Sequence, residues 1–191
     1  MSKRLSTDFY CRDVLEVAPD LLGKILVRCL PDGSSIRAYI TEVEAYRGTD
    51  DLGCHASKGK TKRNKVMFDH GGLVYVYLIY GMYWMFNVVT SVYGDPQAVL
   101  VRGVTSANGP GKLTRLFQID GSFYGENLEA SSRIWIEDNG LKPSYTTTPR
   151  IGIDYAGPYW SMVPWRFLVA ASEASLHENE ALRNGVVAHK K

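Results

Sequence analysis

The sequence predicts an α+β fold: a single compact domain over residues 1–191, with a curved, mainly antiparallel, barrel-like sheet, surrounding helices and a protruding aromatic β-hairpin. Three observations carry the prediction. Alternating apolar–polar runs recur between turn signals, as in Lys24–Leu30, then Pro31-Asp32-Gly33, then Ile36–Tyr46. Helical patterns are few and brief. The run LVYVYLIYGMYWMFN, Leu73–Asn87, sets apolar and aromatic residues on both sides of Gly81, which reads as a hairpin.

The elements follow in chain order. Thr7 can cap a helix through Asp8–Val17 that stops at Ala18-Pro19, and Asp20–Gly23 adds a helical turn closed by Gly23. The two strands Lys24–Leu30 and Ile36–Tyr46 come next, joined by a turn. Gly48–Ser57 reads as loop or a short helical turn, and Lys62–Phe68 as a helix. After the aromatic hairpin, Ala98–Val104 is a strand. Asn108-Gly109-Pro110-Gly111 is a loop opening a helix from Lys112 to Gln118, with apolar spacing at Leu113, Leu116 and Phe117. Ile134–Glu137, Arg150–Asp154 and Arg166–Ala170 read as short strands, and the polar segment 172–191 as a tail with a surface helix and a frayed end.

Composition bounds the function. Net charge is only +2, but Lys58, Lys60, Lys62, Arg63 and Lys65 form a basic run without an acid, either a solvated loop or a phosphate-contacting patch. Cys11, Cys29 and Cys54 are odd in number and lack any CxxC spacing, which predicts buried thiols in a reducing, intracellular setting and no zinc cluster. No apolar stretch is long enough to span a bilayer, and the N-terminus carries no secretory pattern, so no membrane association is expected.

The residues that could do chemistry are scattered. Strand alternation places Glu42, Glu44 and Tyr46 on one face; a carboxylate there is a desolvated general base or part of a solvent-facing acidic edge. His55 is a structural or a catalytic histidine. Tyr75 and Tyr77 share a face while Tyr80 points toward the hairpin tip, and the row is a wet-edged core or a platform for nucleobases. There is no HExxH, no GxSxG and no deaminase zinc motif. The Asn108–Lys112 loop lacks the spacing of a nucleotide-binding P-loop, though its amides could meet a DNA phosphate.

Together these residues are distinctive. The order Glu42-x-Glu44-Ala-Tyr46, His55, Thr61-Lys62-Arg63-Asn64, Tyr75-Val-Tyr77-Leu-Ile-Tyr80-Gly-Met-Tyr83 and Asn87 resembles the alkyladenine (3-methyladenine) DNA glycosylase family of base-excision repair. Val99-Leu100-Val101-Arg102, Asn108-Gly-Pro-Gly-Lys112-Leu113 and Arg150-Ile-Gly152 extend the resemblance over nearly the whole chain. It implies Glu44 as the base that activates a water, with Arg102 helping to hold that water and a phosphate. It implies Tyr46 and Tyr77 as the walls around a flipped purine, His55 and Tyr75 at the pocket, and Asn87 as the residue that crowds guanine's amino group. Tyr80 is then the wedge that fills the vacated stack, and Lys62, Arg63, Met82, Tyr83 and Lys112 are candidate backbone contacts.

The resemblance further implies a monofunctional enzyme without metal or cofactor. It would act, as a monomer, on double-stranded DNA containing damaged purines, in a bacterial cytoplasm or nucleoid or a eukaryotic nucleus. The sequence departs from longer family members, which carry a substantial segment where Gly103–Ala107 bridges in a few residues, and it has Lys62 where relatives often have proline. The rival from the residues alone is a non-catalytic module on which single-stranded bases stack.

Overall fold

Residues 2–170 are described by the computed structural model. Two short helices, α1 (Thr7–Tyr10) and α2 (Val14–Leu21), precede the main strands, and the two-residue strand β1 (Lys3–Arg4) comes before them. The single helix expected over Asp8–Val17 is thus broken in two. The Asp13 carboxylate accepts from the Leu15 amide and caps α2, whereas Thr7 caps nothing and instead donates to Glu129. Pro19 does not end the helix but sits in its last turns. Burial of Val14, Val17, Ala18 and Leu21 in the core outweighs the local preference of the residue before proline for extended backbone.

The remaining strands are β2 (Ile25–Cys29), β3 (Ser35–Arg47), β4 (Val74–Ile79), β5 (Tyr83–Thr90), β6 (Gln97–Val104), β7 (Ala107–Asn108), β8 (Ile134–Asp138), β9 (Tyr145–Thr148) and β10 (Arg166–Val169). They pair antiparallel in the order β1-β8-β2-β3-β6-β5-β4, with β10 branching from β3 to carry β9 and β7 folding back on β6. The path does not return on itself, so the sheet is open at β1 and β4 rather than closed into a barrel.

Other expectations shift locally. Lys62–Phe68 is only a 3-10 turn over Lys65–Phe68, and Arg150–Asp154 is irregular chain rather than a strand. The third helix, α3 (Pro110–Leu116), starts two residues earlier than expected because Pro110 supplies its first position. A fourth helix, α4 (Gly157–Met162), and strand β9 had no clear signal in the sequence. The expected tail beginning at Ser172 lies outside the described residues. Cys54 is buried, but Cys11 and Cys29 are only half-buried, and all three thiols are free.

The sheet separates two environments. One face presents Val43, Ala45, Val99, Val101, Val88, Phe86, Val74 and Val76 to the main core, packed with α2, α3, Phe117 and Phe123. The other face carries the polar and aromatic residues of the candidate site. No helix among the described residues is long and apolar enough to cross a membrane.

Candidate active site

Antiparallel register builds the site as a row across four strands. Glu44 on β3 lies opposite Leu100 on β6, Leu100 opposite Asn87 on β5, and Asn87 opposite Tyr75 on β4. Residues directly opposite share a face, so all four side chains stand on the side of the sheet away from the main core. Leu100, Asn87 and Tyr75 of the row floor a cavity of about 590 Å³, within the range of small-ligand pockets, with Glu44 buried behind its wall. Tyr46, Tyr77, His55 and Arg102 wall it, and Ile151 and Tyr155 close it from the segment after Arg150.

Arg102 follows core-facing Val101 and so stands on this face, at a point where the pairing becomes irregular. Val43 pairs with Val101 while the preceding Glu42 pairs with Gly103, so Arg102 is the unpaired extra residue of a bulge. Bulges re-aim side chains beside functional sites. The Arg102 guanidinium donates from Nε to Glu42 Oε1 at 2.9 Å and from Nη1 to Glu44 Oε2 at 3.4 Å.

Glu44 has 0% exposure and is held by three donors: the Tyr46 hydroxyl and Arg102 on Oε2, and the Ile151 amide on Oε1 at 2.8 Å. Burial raises its pKa above the ordinary value despite Arg102 and those hydrogen bonds, with Glu42 adding a like charge. The strand is therefore no solvent-facing acidic edge.

The aromatic walls interlock. His55 Nδ1 and the Tyr75 hydroxyl are 2.8 Å apart, and His55 packs edge-on to Tyr77 with centroids 4.6 Å apart. Burial, together with Arg63 and Lys58, lowers the His55 pKa to about 4, so its imidazole is neutral at physiological pH. Burial raises the pKa of Tyr46, Tyr75 and Tyr77, which keeps their phenols protonated. Arg63 lies over the Tyr77 ring at 5.0 Å and donates to the Leu78 carbonyl, so it is docked on the hairpin, and both Lys62 and Arg63 are exposed. The Asn87 amide donates to the carbonyls of Tyr75 and Met85, which fixes the amide plane on the floor.

The hairpin tip projects beyond the cavity. Tyr80 is 85% exposed and, like Gly81, has a positive φ, at 51° against 67°. A left-handed backbone is routine for glycine but strained for tyrosine, costing roughly 1–3 kcal/mol, and such strain clusters at functional sites. Met82 is exposed beside it, and Tyr83 packs against Gly111, where a Cβ would stand 2.8 Å from the ring. Lys112 is exposed on the first turn of α3. Trp84 packs onto the core, and Thr114 donates to its carbonyl.

Sequence reasoning did not single out the support beneath the pocket. Arg150 and Asp51 form a fully buried, two-bonded ion pair, and Arg150 also donates to the Ala45 carbonyl and lies 4.8 Å from the centre of the Tyr46 ring. That pair fixes the chain just before Ile151, whose amide holds Glu44. The Arg150-Ile-Gly152 motif was the available signal. Tyr155, at the pocket rim with its hydroxyl 3.3 Å from the Gly53 carbonyl, had none. No group of three or more His, Cys, Asp or Glu able to hold a metal occurs among the described residues.

Comparison with known proteins assigns the chain. The family model described as methylpurine-DNA glycosylase matches residues 8–108 and 104–173, two pieces that meet at the short connection after Arg102. In the structure that connection is a tight return in which β7 folds back on β6. Curated relatives bearing the name "Putative 3-methyladenine DNA glycosylase" include one from Methanocella arvoryzae, 45% identical over 183 residues (85% of this chain, 90% of the relative). One from Natranaerobius thermophilus is 40% identical over 190 residues (87% and 95%), and one from Sodalis glossinidius 46% over 156 residues (78% and 89%).

Proposed function

Because the chain belongs to the methylpurine-DNA glycosylase family and is thus a DNA-repair hydrolase of N-glycosyl bonds, we propose that it flips alkylated or deaminated purines out of duplex DNA and hydrolyses their N-glycosidic bond with a water activated by Glu44, leaving an abasic site. One observation carries the reading: a fully buried carboxylate of raised basicity stands behind an aromatic cavity, tied by hydrogen bonds to the residues that wall it.

The steps follow from these residues. A purine inside a duplex is out of reach, and extruding it costs a few kcal/mol. Tyr80, rigid and exposed at the tip, enters the vacated stack as aromatic and apolar wedges do. The extruded base lies between Tyr46 and Tyr77, where each stack returns roughly 1–3 kcal/mol. A cationic alkylpurine gains further from electron-rich rings that stay neutral. Asn87, its amide fixed on the floor, crowds the exocyclic amino group of a normal guanine.

Water then attacks the sugar C1′. The new C1′–O bond forms as the C1′–N9 bond breaks. The bonding pair goes to the purine and cancels its positive charge, while the water's proton passes to Glu44. Arg102 helps to hold the water and a nearby phosphate. A cationic lesion leaves without a general acid, whereas a neutral lesion such as hypoxanthine needs a proton on the departing base.

The test is a lesion panel. Duplexes carrying 3-methyladenine, 1,N6-ethenoadenine or hypoxanthine are incubated with the protein, and alkali-labile abasic sites are counted. Release of at least one of these bases is expected; folded protein that releases none overturns the proposal.

A further inference from the structure

We propose that Glu42, two residues before Glu44 on β3, is a positioning residue that holds Arg102 away from Glu44 and thereby sets the basicity of that carboxylate. The proposal rests on the reading of Glu44 as the base.

Glu42 and Glu44 compete for one guanidinium. Glu42 Oε1 accepts from Arg102 Nε at 2.9 Å and from Arg166 Nε at 2.6 Å, so cations from β6 and β10, on either side of β3, converge on a single oxygen. Arg102 reaches Glu44 only with its other arm, at 3.4 Å. A guanidinium in full contact depresses a carboxylate's basicity by about 1–3 pH units. Giving the short bond to Glu42 leaves Glu44 the long one, and burial then dominates.

The backbone is shaped for this arrangement. Arg102 sits on the bulge, and Gly103 follows it. A Cβ at Gly103 would stand 3.2 Å from both Glu42 Cβ and Thr41 Oγ1 and 3.4 Å from Glu42 Oε2. The two shorter separations are tighter than ordinary van der Waals contact, so a side chain there would press on the Glu42 side chain by a few tenths of an ångström.

The other groups around Glu44 are uncharged or carry their charge to another partner. On β3 and β4 the Tyr46 and Tyr77 phenols are kept protonated by burial. The Arg150 guanidinium is paired with Asp51, and the Ile151 amide is uncharged. Arg166, directly opposite Glu44 in the β10–β3 register, spends its Nε on Glu42. The division of Arg102 between the two glutamates is therefore the adjustable element.

The test reads Glu44 directly, by a ¹³C-carboxyl NMR titration of the free protein, with the signal assigned through Glu44→Gln. Glu42→Gln keeps an oxygen acceptor but removes the charge, so Arg102 shifts toward Glu44 and its midpoint falls by about one pH unit. Single-turnover base release at neutral pH then falls about threefold, as expected for a weaker base. Arg166→Gln leaves Glu42 less neutralised and moves the midpoint upward. General loosening would move both variants the same way, toward an ordinary glutamate. Opposite shifts support the proposal; unchanged midpoints, or shifts of one sign, overturn it. Absence of base release by the unmodified protein counts against the reading of Glu44 as base, while the titration still decides the Glu42 coupling.

Discussion

The hydroxyl of Tyr46 donates to Glu44 Oε2 at 2.9 Å from two residues along the same strand. The ring proposed to stack on the base and the carboxylate proposed to activate water are therefore one hydrogen-bonded unit on β3. On that proposal, stacking and chemistry are set by the same backbone.

Tyr46→Phe keeps the ring and deletes that donor. The hydrogen bond lowers the pKa of Glu44, so its removal moves the acid limb of the pH–rate profile to higher pH, with lesion-DNA affinity nearly unchanged. An acid limb that stays in place would separate Tyr46 from Glu44 functionally.

Tyr80→Ser removes the exposed ring at the tip. Excision of a well-paired lesion should fall by about tenfold or more, since the proposed wedge would offset an extrusion cost of a few kcal/mol. A lesion in a bulge, already unstacked, should lose far less. Gel-based single-turnover rates on the two duplexes give the comparison, and equal losses contradict the wedge.

His55 should titrate near pH 4 rather than at its ordinary 6.5, read from its ring resonances by NMR. The sign for stability follows. Between 6.5 and 4 the unfolded chain binds a proton that the folded chain does not, so this contribution is present above 6.5 and is lost as pH falls toward 4. Arg63→Gln removes a repelling charge and should raise the midpoint. A wild-type midpoint near 6.5 would contradict the packing of His55 against Tyr75 and Tyr77.

Asp51→Asn leaves the Arg150 guanidinium buried without its countercharge. Breaking such a pair by removing one partner costs about 3–5 kcal/mol, measurable by urea unfolding. A change below about 1 kcal/mol would show that the pair does not support the pocket.

How much of this was legible in the sequence depends on the range of each interaction. The hairpin, its tip at Tyr80-Gly81 and the strand bearing Glu44 and Tyr46 were legible because period-two alternation and a glycine turn are local signals. The row Glu44–Leu100–Asn87–Tyr75 was not, since register between distant strands is fixed by core packing on the opposite face. The Arg102 bulge interrupts the very periodicity that sequence reading relies on. Arg150 and Asp51 are 99 residues apart, and neither carries a local mark of its partner. Pro19 misled because the local rule was sound but burial of the α2 face prevailed. Residue chemistry alone also left open a module that only stacks bases, and membership in a glycosylase family closes that alternative.

The most direct measurement of the central claim compares Glu44→Gln with the unmodified protein on one lesion duplex, following binding and base release together. Affinity should stay within about twofold and base release should slow by at least about 100-fold, because the variant keeps the pocket and loses the proton acceptor. Retention of substantial turnover by a variant that binds normally would contradict the claim and take the chemistry away from Glu44.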